Sequence, residues 1–121
     1  EVLSKIKQSK PLMNWYRTFQ LDKISKKNVE EISGGEKQKI YLSRIMSVNS
    51  EAIIMDEPNQ NLDIENTKKL IKLLLNEKNI NKTIILTMHD KEIVKQIADK
   101  IILLNQGEVE FYGSVNNFLK I

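Results

Sequence analysis

The sequence predicts an α/β fold with a mainly parallel sheet, and three observations carry that expectation. Ala52–Met55 and Thr83–Met88 are short, near-continuously apolar runs, the pattern of strands covered on both faces. Around them lie segments with apolar residues at helical spacing, so helices alternate with strands. In the last third the pattern changes, and Ile101–Leu104, Asn105-Gln106-Gly107 and Glu108–Tyr112 read as a β-hairpin with glycine at a left-handed position.

Taken in order, residues 1–8 read as the tail of a helix or a lead-in. A chain opening on Glu1 rather than methionine is expected of a piece cut from something longer. Pro11 suits a first helical turn. Leu12, Trp15, Tyr16 and Phe19 then fall at i, i+3, i+4 and i+7, one apolar face, read as core rather than as a base-stacking platform. Leu21 to Glu31 is polar and reads as a loop with a short turn. Ser33-Gly34-Gly35-Glu36 opens the next helix, with Ser33 as N-cap and Glu36 completing a capping box, and Tyr41, Ile45 and Val48 continue it with an inward stripe. Consecutive glycines are poor helix formers. They make sense where something must approach the backbone closely. A helix start with free amides, no side-chain bulk and a hydroxyl is suited to phosphate.

Asn49 and Ser50 break that helix, and the strand Ala52–Met55 runs into Asp56 and Glu57. Two carboxylates at the carboxyl end of such a strand sit where open α/β sheets bind ligands. Adjacent residues point to opposite faces, so the two acids have different tasks. Pro58 ends the strand. Asp63 is expected to cap a helix with Thr67, Leu70, Ile71 and Leu74 on one face, and Asn76 to Lys82 turns the chain. The second strand ends at His89. Asp90 caps a short helix with Ile93, Val94 and Ile97 inward, and after the hairpin Ser114 caps a last one through Leu119.

Composition sets bounds. With 121 residues the chain is one domain or part of one. A hydrophobic share of 40% and a charged share of 29% are those of an ordinary globular chain. The net charge of +3 is mild and the lysines are scattered, so charge gives no support to a nucleic-acid or membrane-surface role. No cysteine is present, which removes disulfides and thiolate metal sites and fits a reducing compartment. No apolar run reaches the length of a membrane span and no signal peptide opens the chain, so in a transporter this would not be the membrane part.

Four pieces in fixed order carry a family resemblance: Ile32-Ser33-Gly34-Gly35-Glu36-Lys37-Gln38, Ile53-Ile54-Met55-Asp56-Glu57-Pro58, Asn61-Leu62-Asp63, and Thr87-Met88-His89-Asp90. Each is weak alone, but together they resemble the signature motif, Walker B strand, D-loop and switch histidine of the ATP-binding cassette (ABC) ATPases. The resemblance runs from about residue 10 to the end. It implies a partial P-loop NTPase domain of ABC type. Residues 1–48 would be the end of the helical subdomain with the signature helix. Residues 49–121 would be the later, mainly parallel strands of the core and a C-terminal hairpin.

The resemblance also implies roles. Asp56 would hold Mg²⁺, largely through water, and Glu57 would polarise the attacking water. His89, ending the neighbouring strand, would sit beside Glu57 and sense the γ-phosphate. Ser33, Gly34, Gly35 and Glu36 would face the ATP of an opposite protomer, and Asp63 would help couple the two halves of a dimer. The family's other half-site is missing: the P-loop pattern G-x-x-x-x-G-K-[ST] does not occur, and none of the glycines at 34, 35, 107 and 113 is followed by lysine. Departures are small. Glu36 stands where glutamine is commoner, Met88 replaces a small hydroxyl residue before the histidine, and Asn59-Gln60 replaces Thr-Gly or Thr-Ser.

The expected function is that of the ATP-hydrolysing subunit of an ABC transporter. It would pair with a second cassette, as homodimer or heterodimer, and with a transmembrane permease at the cytoplasmic face of the membrane, with no nucleic-acid partner. The chain by itself is expected to be inactive for want of the P-loop. Two other classes compete: a soluble ABC ATPase of DNA repair, chromosome organisation or translation, and a non-enzymatic module that only pairs with a partner cassette. A long coiled coil, zinc motif or second cassette would favour the former, and none occurs in these residues. Self-association through exposed apolar surface would favour the latter.

Overall fold

The computed structural model describes residues 10–46, 48 and 50–120, with side chains from Asn14 onward except that of Asn79. The lead-in 1–8, the side chain of Leu12 and the helix break at Asn49 lie outside the described residues. Two compact units divide the chain, one ending at Met88 and the other beginning at His89.

The first unit opens with α1 (Lys10–Thr18) and α2 (Leu21–Ile24). Trp15, Tyr16 and Phe19 are buried, the core assignment expected of their spacing, and the Trp15 and Phe19 rings lie 5.9 Å apart. The segment read as a polar loop is more ordered than expected. Leu21 and Ile24 are buried and pin α2, and a 3₁₀ turn follows at Val29–Glu31. Two apolar residues three apart are enough to anchor one helical turn by tertiary burial, which intrinsic propensity does not register.

Helix α3 (Gly34–Met46) packs against α1 and α2. Its inward face differs from the expected stripe. Leu42, Ser43 and Met46 are buried, whereas Tyr41 and Val48 are 54% and 59% exposed. The face that points inward runs through Gln38, Leu42 and Met46, a four-residue step that includes a polar member. Buried Ser43 satisfies its hydroxyl by donating to the Lys39 carbonyl at 2.9 Å. In α4 (Ile64–Asn79), Leu70 and Leu74 are buried as expected, joined by Leu73 and Glu77, while Thr67 and Ile71 are half-buried. Glu77 is a buried acid with two partners: the Trp15 indole donates to it at 3.2 Å, and the Lys82 ammonium lies 3.2 Å from its other oxygen. The pairing compensates the charge's desolvation and ties α1 to α4.

Strands β1 (Ala52–Asp56) and β2 (Thr83–Thr87) pair in parallel, with Ala52 opposite Thr83 and Asp56 opposite Thr87. Neither strand is covered on both faces, contrary to the expectation. Ile53 and Met55 are buried, with Ile84 and Leu86 half-buried beside them, but Ile54 and Ile85 are 73% and 54% exposed on the other face. A continuous apolar run is composed for two covered faces. Here one face has no cover from the described residues.

The second unit contains α5 (Lys91–Ile97), β3 (Lys100–Asn105), β4 (Glu108–Ser114) and α6 (Val115–Phe118). Asp90 caps α5, accepting from the Glu92 and Ile93 N–H groups at 2.9 and 3.2 Å, and Ile93 is buried while Val94 and Ile97 are half-buried. β3 and β4 form the expected antiparallel hairpin, irregular between Leu103 and Leu104. Gln106 and Gly107 both have positive φ, 50° and 83°, the pair a two-residue hairpin turn requires. Ser114 caps α6 by accepting from Asn117 N–H at 3.3 Å. Gly113 is needed for packing: a Cβ there would lie 2.9 Å from the Phe111 ring, which lies tilted 5.5 Å from Phe118.

Candidate functional site

The carboxylate pair is fixed by a hydroxyl that sequence reasoning missed. Asp56 is the last residue of β1 and lies in register with Thr87, the last of β2. The Thr87 hydroxyl donates to the Asp56 carboxylate and accepts from the Glu57 N–H at 3.0 Å. One side chain thus uses both of its hydrogen-bonding capacities to hold an acid and the backbone of its neighbour. Its signals in the sequence were a hydroxyl closing the apolar run Ile84–Leu86 and a place at the head of the Thr87-Met88-His89-Asp90 piece, neither of which gave it a role.

Beyond Asp56 the backbone turns sharply. Glu57 has φ of 41°, a left-handed conformation that costs a non-glycine residue of order 1–3 kcal/mol and persists only where the surroundings enforce it. Gln60 N–H donates to the Glu57 carbonyl at 2.9 Å and Leu62 N–H to the Asn59 carbonyl at 3.1 Å, so the segment closes as two successive turns. Pro58 is fully buried and anchors it, while Asp56 is exposed and Glu57 half-buried.

The start of α3 is built as a capping box: Ser33 Oγ accepts from Glu36 N–H at 3.2 Å, and Glu36 accepts from Ser33 N–H at 3.0 Å. Lys27 donates to the other Glu36 oxygen at 2.6 Å and, with the Ser33 N–H, holds that carboxyl below the ordinary glutamate range. The cap leaves functional groups over. The Ser33 hydroxyl is used as an acceptor and keeps its proton to donate. The Gly34 and Gly35 N–H groups fall in the first turn, which has no earlier carbonyl to serve them.

These two pieces meet. Gln38, one turn into α3, donates from Nε2 to the Pro58 carbonyl at 3.0 Å. A Cβ at Gly35 would lie 2.8 Å from the Asn61 carbonyl oxygen, and one at Gly34 would lie 3.8 Å from the Asn61 side chain. Glycine at 35 is therefore required by the turn packed against it, whatever else approaches. Asp63 ends the same turn as N-cap of α4, accepting from Asn66 N–H at 2.7 Å. That bond, with lesser help from Lys39 and Lys69, holds its carboxyl below the usual aspartate range.

The first unit thus holds Ser33, Gly34, Gly35, Glu36, Asp56, Glu57 and Asp63 of the predicted residues. His89 stands two residues past β2, exposed, as the first residue of the second unit. Among the described residues no three acids or histidines cluster as a metal site. A lone carboxylate at Asp56 still suits Mg²⁺, which keeps several waters and takes substrate phosphates as ligands. Among the described residues no helix is long and apolar enough to cross a membrane.

The family model described as ABC transporter matches residues 3–60. An ABC transporter ATP-binding protein of Pyrococcus abyssi is 38% identical over 91 residues, which is 75% of this chain and 35% of that protein. Another, of Clostridium acetobutylicum, is 35% identical over 119 residues, 95% of this chain and 39% of the relative. The chain therefore spans little more than a third of the length of these curated relatives. Among solved structures, an ATP-binding cassette captured as a dimer after hydrolysis, with ADP and Pi bound, superposes with a TM-score of 0.73. It is 27% identical, over 85% of this chain and 45% of that one.

Proposed function

The chain belongs to the ABC ATPase family, of which it spans part of the cassette, and we propose that it supplies the signature motif and the catalytic acids of a transporter's ATP-hydrolysing subunit. The observation that carries the reading is the direct packing of the Ser33–Gln38 helix start on the Asp56–Asn61 turn, through Gln38 to Pro58 and Gly35 to Asn61. Phosphate-facing donors and acids are offered by one block of the chain. In this reading residues 1–48 belong to the helical subdomain and residues 49–121 to the ATPase core.

Phosphoryl transfer to water requires the phosphate charge neutralised, the water oriented, and donors where charge develops. Bound Mg²⁺ supplies the neutralisation. Asp56, one of whose carboxylate oxygens accepts from Thr87, would hold the ion, largely through water. Glu57 orients the water and accepts its proton. Ser33 hydroxyl and the Gly34 and Gly35 amides donate to the terminal phosphate of a nucleotide held by another protomer, and the P-loop absent from this sequence would complete this protomer's own site beside Asp56 and Glu57. His89 is assigned to the terminal phosphate by its motif. Asp63 belongs to the segment that meets the partner cassette. The partners are a second cassette, identical or not, and a membrane permease, at the cytoplasmic face.

The test is calorimetric titration of this chain with Mg-ATP, followed by phosphate release. The chain alone binds no ATP tightly and releases no phosphate. Adding a P-loop-bearing cassette half restores turnover, and Glu57→Gln lowers it by about 10²-fold or more. Turnover by the chain alone, or turnover indifferent to Glu57→Gln, refutes the assignment.

A further inference from the structure

The carboxylate turn is held from two sides, and only one of them belongs to the sheet. Thr87 grips Asp56 and the Glu57 amide from β2. The other hold comes from Gln38, half-buried on α3, whose amide donates to the carbonyl of Pro58, the residue next to Glu57. Pro58 is buried and has no N–H, so its carbonyl is its one backbone hydrogen-bonding group. Gln38 lies three and four residues after Gly35 and Gly34, a single rigid turn from the phosphate-facing amides. The Gly35–Asn61 approach makes a second contact between the same two segments.

We propose that Gln38 is a positioning residue that makes the helix start Ser33–Gly35 and the turn Asp56–Leu62 one mechanical block, so that engagement of the former by the opposite protomer's nucleotide fixes the turn that carries Glu57. The proposal rests on the function given above only for that use. The block itself is a property of the chain.

Its test needs no nucleotide. Three amides report on the turn: Glu57, bonded to Thr87, Gln60, bonded to Glu57, and Leu62, bonded to Asn59. Hydrogen exchange is followed residue by residue in this chain and in Gln38→Glu and Gln38→Ala. Glutamate keeps the length but has no proton to donate, and alanine removes the arm. Loss of one bond of ordinary worth speeds exchange at Gln60 and Leu62 by about fivefold, with the α4 core amides of Leu73 and Leu74 unchanged. Unchanged exchange in the turn overturns the proposal. So does an equal rise at Leu73 and Leu74, which would make Gln38 a general stabiliser.

A second readout separates positioning from stability. In the assembly with a P-loop-bearing half, Gln38→Glu lowers kcat by about tenfold and leaves the ATP KM within about twofold. A raised KM with kcat retained overturns it. If the unsubstituted assembly turns over no ATP, the function proposed above falls and the exchange measurement alone decides the block.

Discussion

At the residue scale the site depends on side chains whose sequence context hides them. Asp56 and Glu57 stand out because two acids end an apolar run, and Gly34-Gly35 because glycines are costly in a helix. Thr87 and Gln38 lie inside the motif pieces yet suggest no role by themselves, since a threonine in a strand and a glutamine in a helix are ordinary. Their importance comes from register and from a helix–turn approach, both tertiary facts. Thr87→Val keeps the shape and removes the hydroxyl, leaving the Glu57 N–H without its acceptor and the Asp56 oxygen without its donor. Each bond contributes about 0.5–1.5 kcal/mol, and a left-handed Glu57 with one support fewer relaxes toward an ordinary backbone. Urea unfolding should show a loss of about 1–2 kcal/mol for Thr87→Val and near-complete rescue by Thr87→Ser. Loss in Thr87→Ser with Thr87→Val unchanged would mean that the methyl, not the hydroxyl, matters.

At the element scale, most helix boundaries were legible because caps are local. Ser33, Asp63, Asp90 and Ser114 all cap the helices expected of them. Faces were less legible. The inward stripe of α3 lies one residue on from the apolar residues that suggested it, because Gln38 and Ser43 share the buried side and find partners there. Hydrophobicity alone could not include them. The cap of α4 also sets a pH dependence. The Asp63 carboxyl is depressed by the Asn66 N–H, so its folded pKa lies below its unfolded one, near 3.9. Its contribution is therefore fully present above about pH 5 and is lost as pH falls through the folded value. Glu36, also depressed, acts in the same direction. Asp63→Asn keeps a capping oxygen that does not titrate. It should change the urea midpoint little at neutral pH and flatten the decline below about pH 4. An unaltered acid limb would show that Asp63 is not among the groups that set it.

At the scale of the whole molecule, the sheet has a composition that the described residues do not satisfy. Ile54 and Ile85 are register neighbours on β1 and β2, and both stand mostly in solvent beside each other. The alternation expected of a strand with one wet face is absent, since the exposed position carries isoleucine in both strands. That is why the sequence read as a strand covered twice: the pattern describes a sheet with a layer on each side, and one layer is not found among the described residues. The relatives, of which the chain spans little more than a third, are long enough to supply one. Left bare, adjacent isoleucines on a parallel pair are an association surface. The chain alone should sediment with a concentration-dependent mass and bind a hydrophobic dye. The double substitution Ile54→Thr and Ile85→Thr keeps β-branching in both strands and should lower both signals without loss of secondary structure. A P-loop-bearing half that supplies the missing layer should lower them too, in the unsubstituted chain. Dye binding indifferent to both treatments would place the sticky surface elsewhere, with the exposed Ile102, Leu104, Val109 and Tyr112 of the hairpin as the next residues to replace.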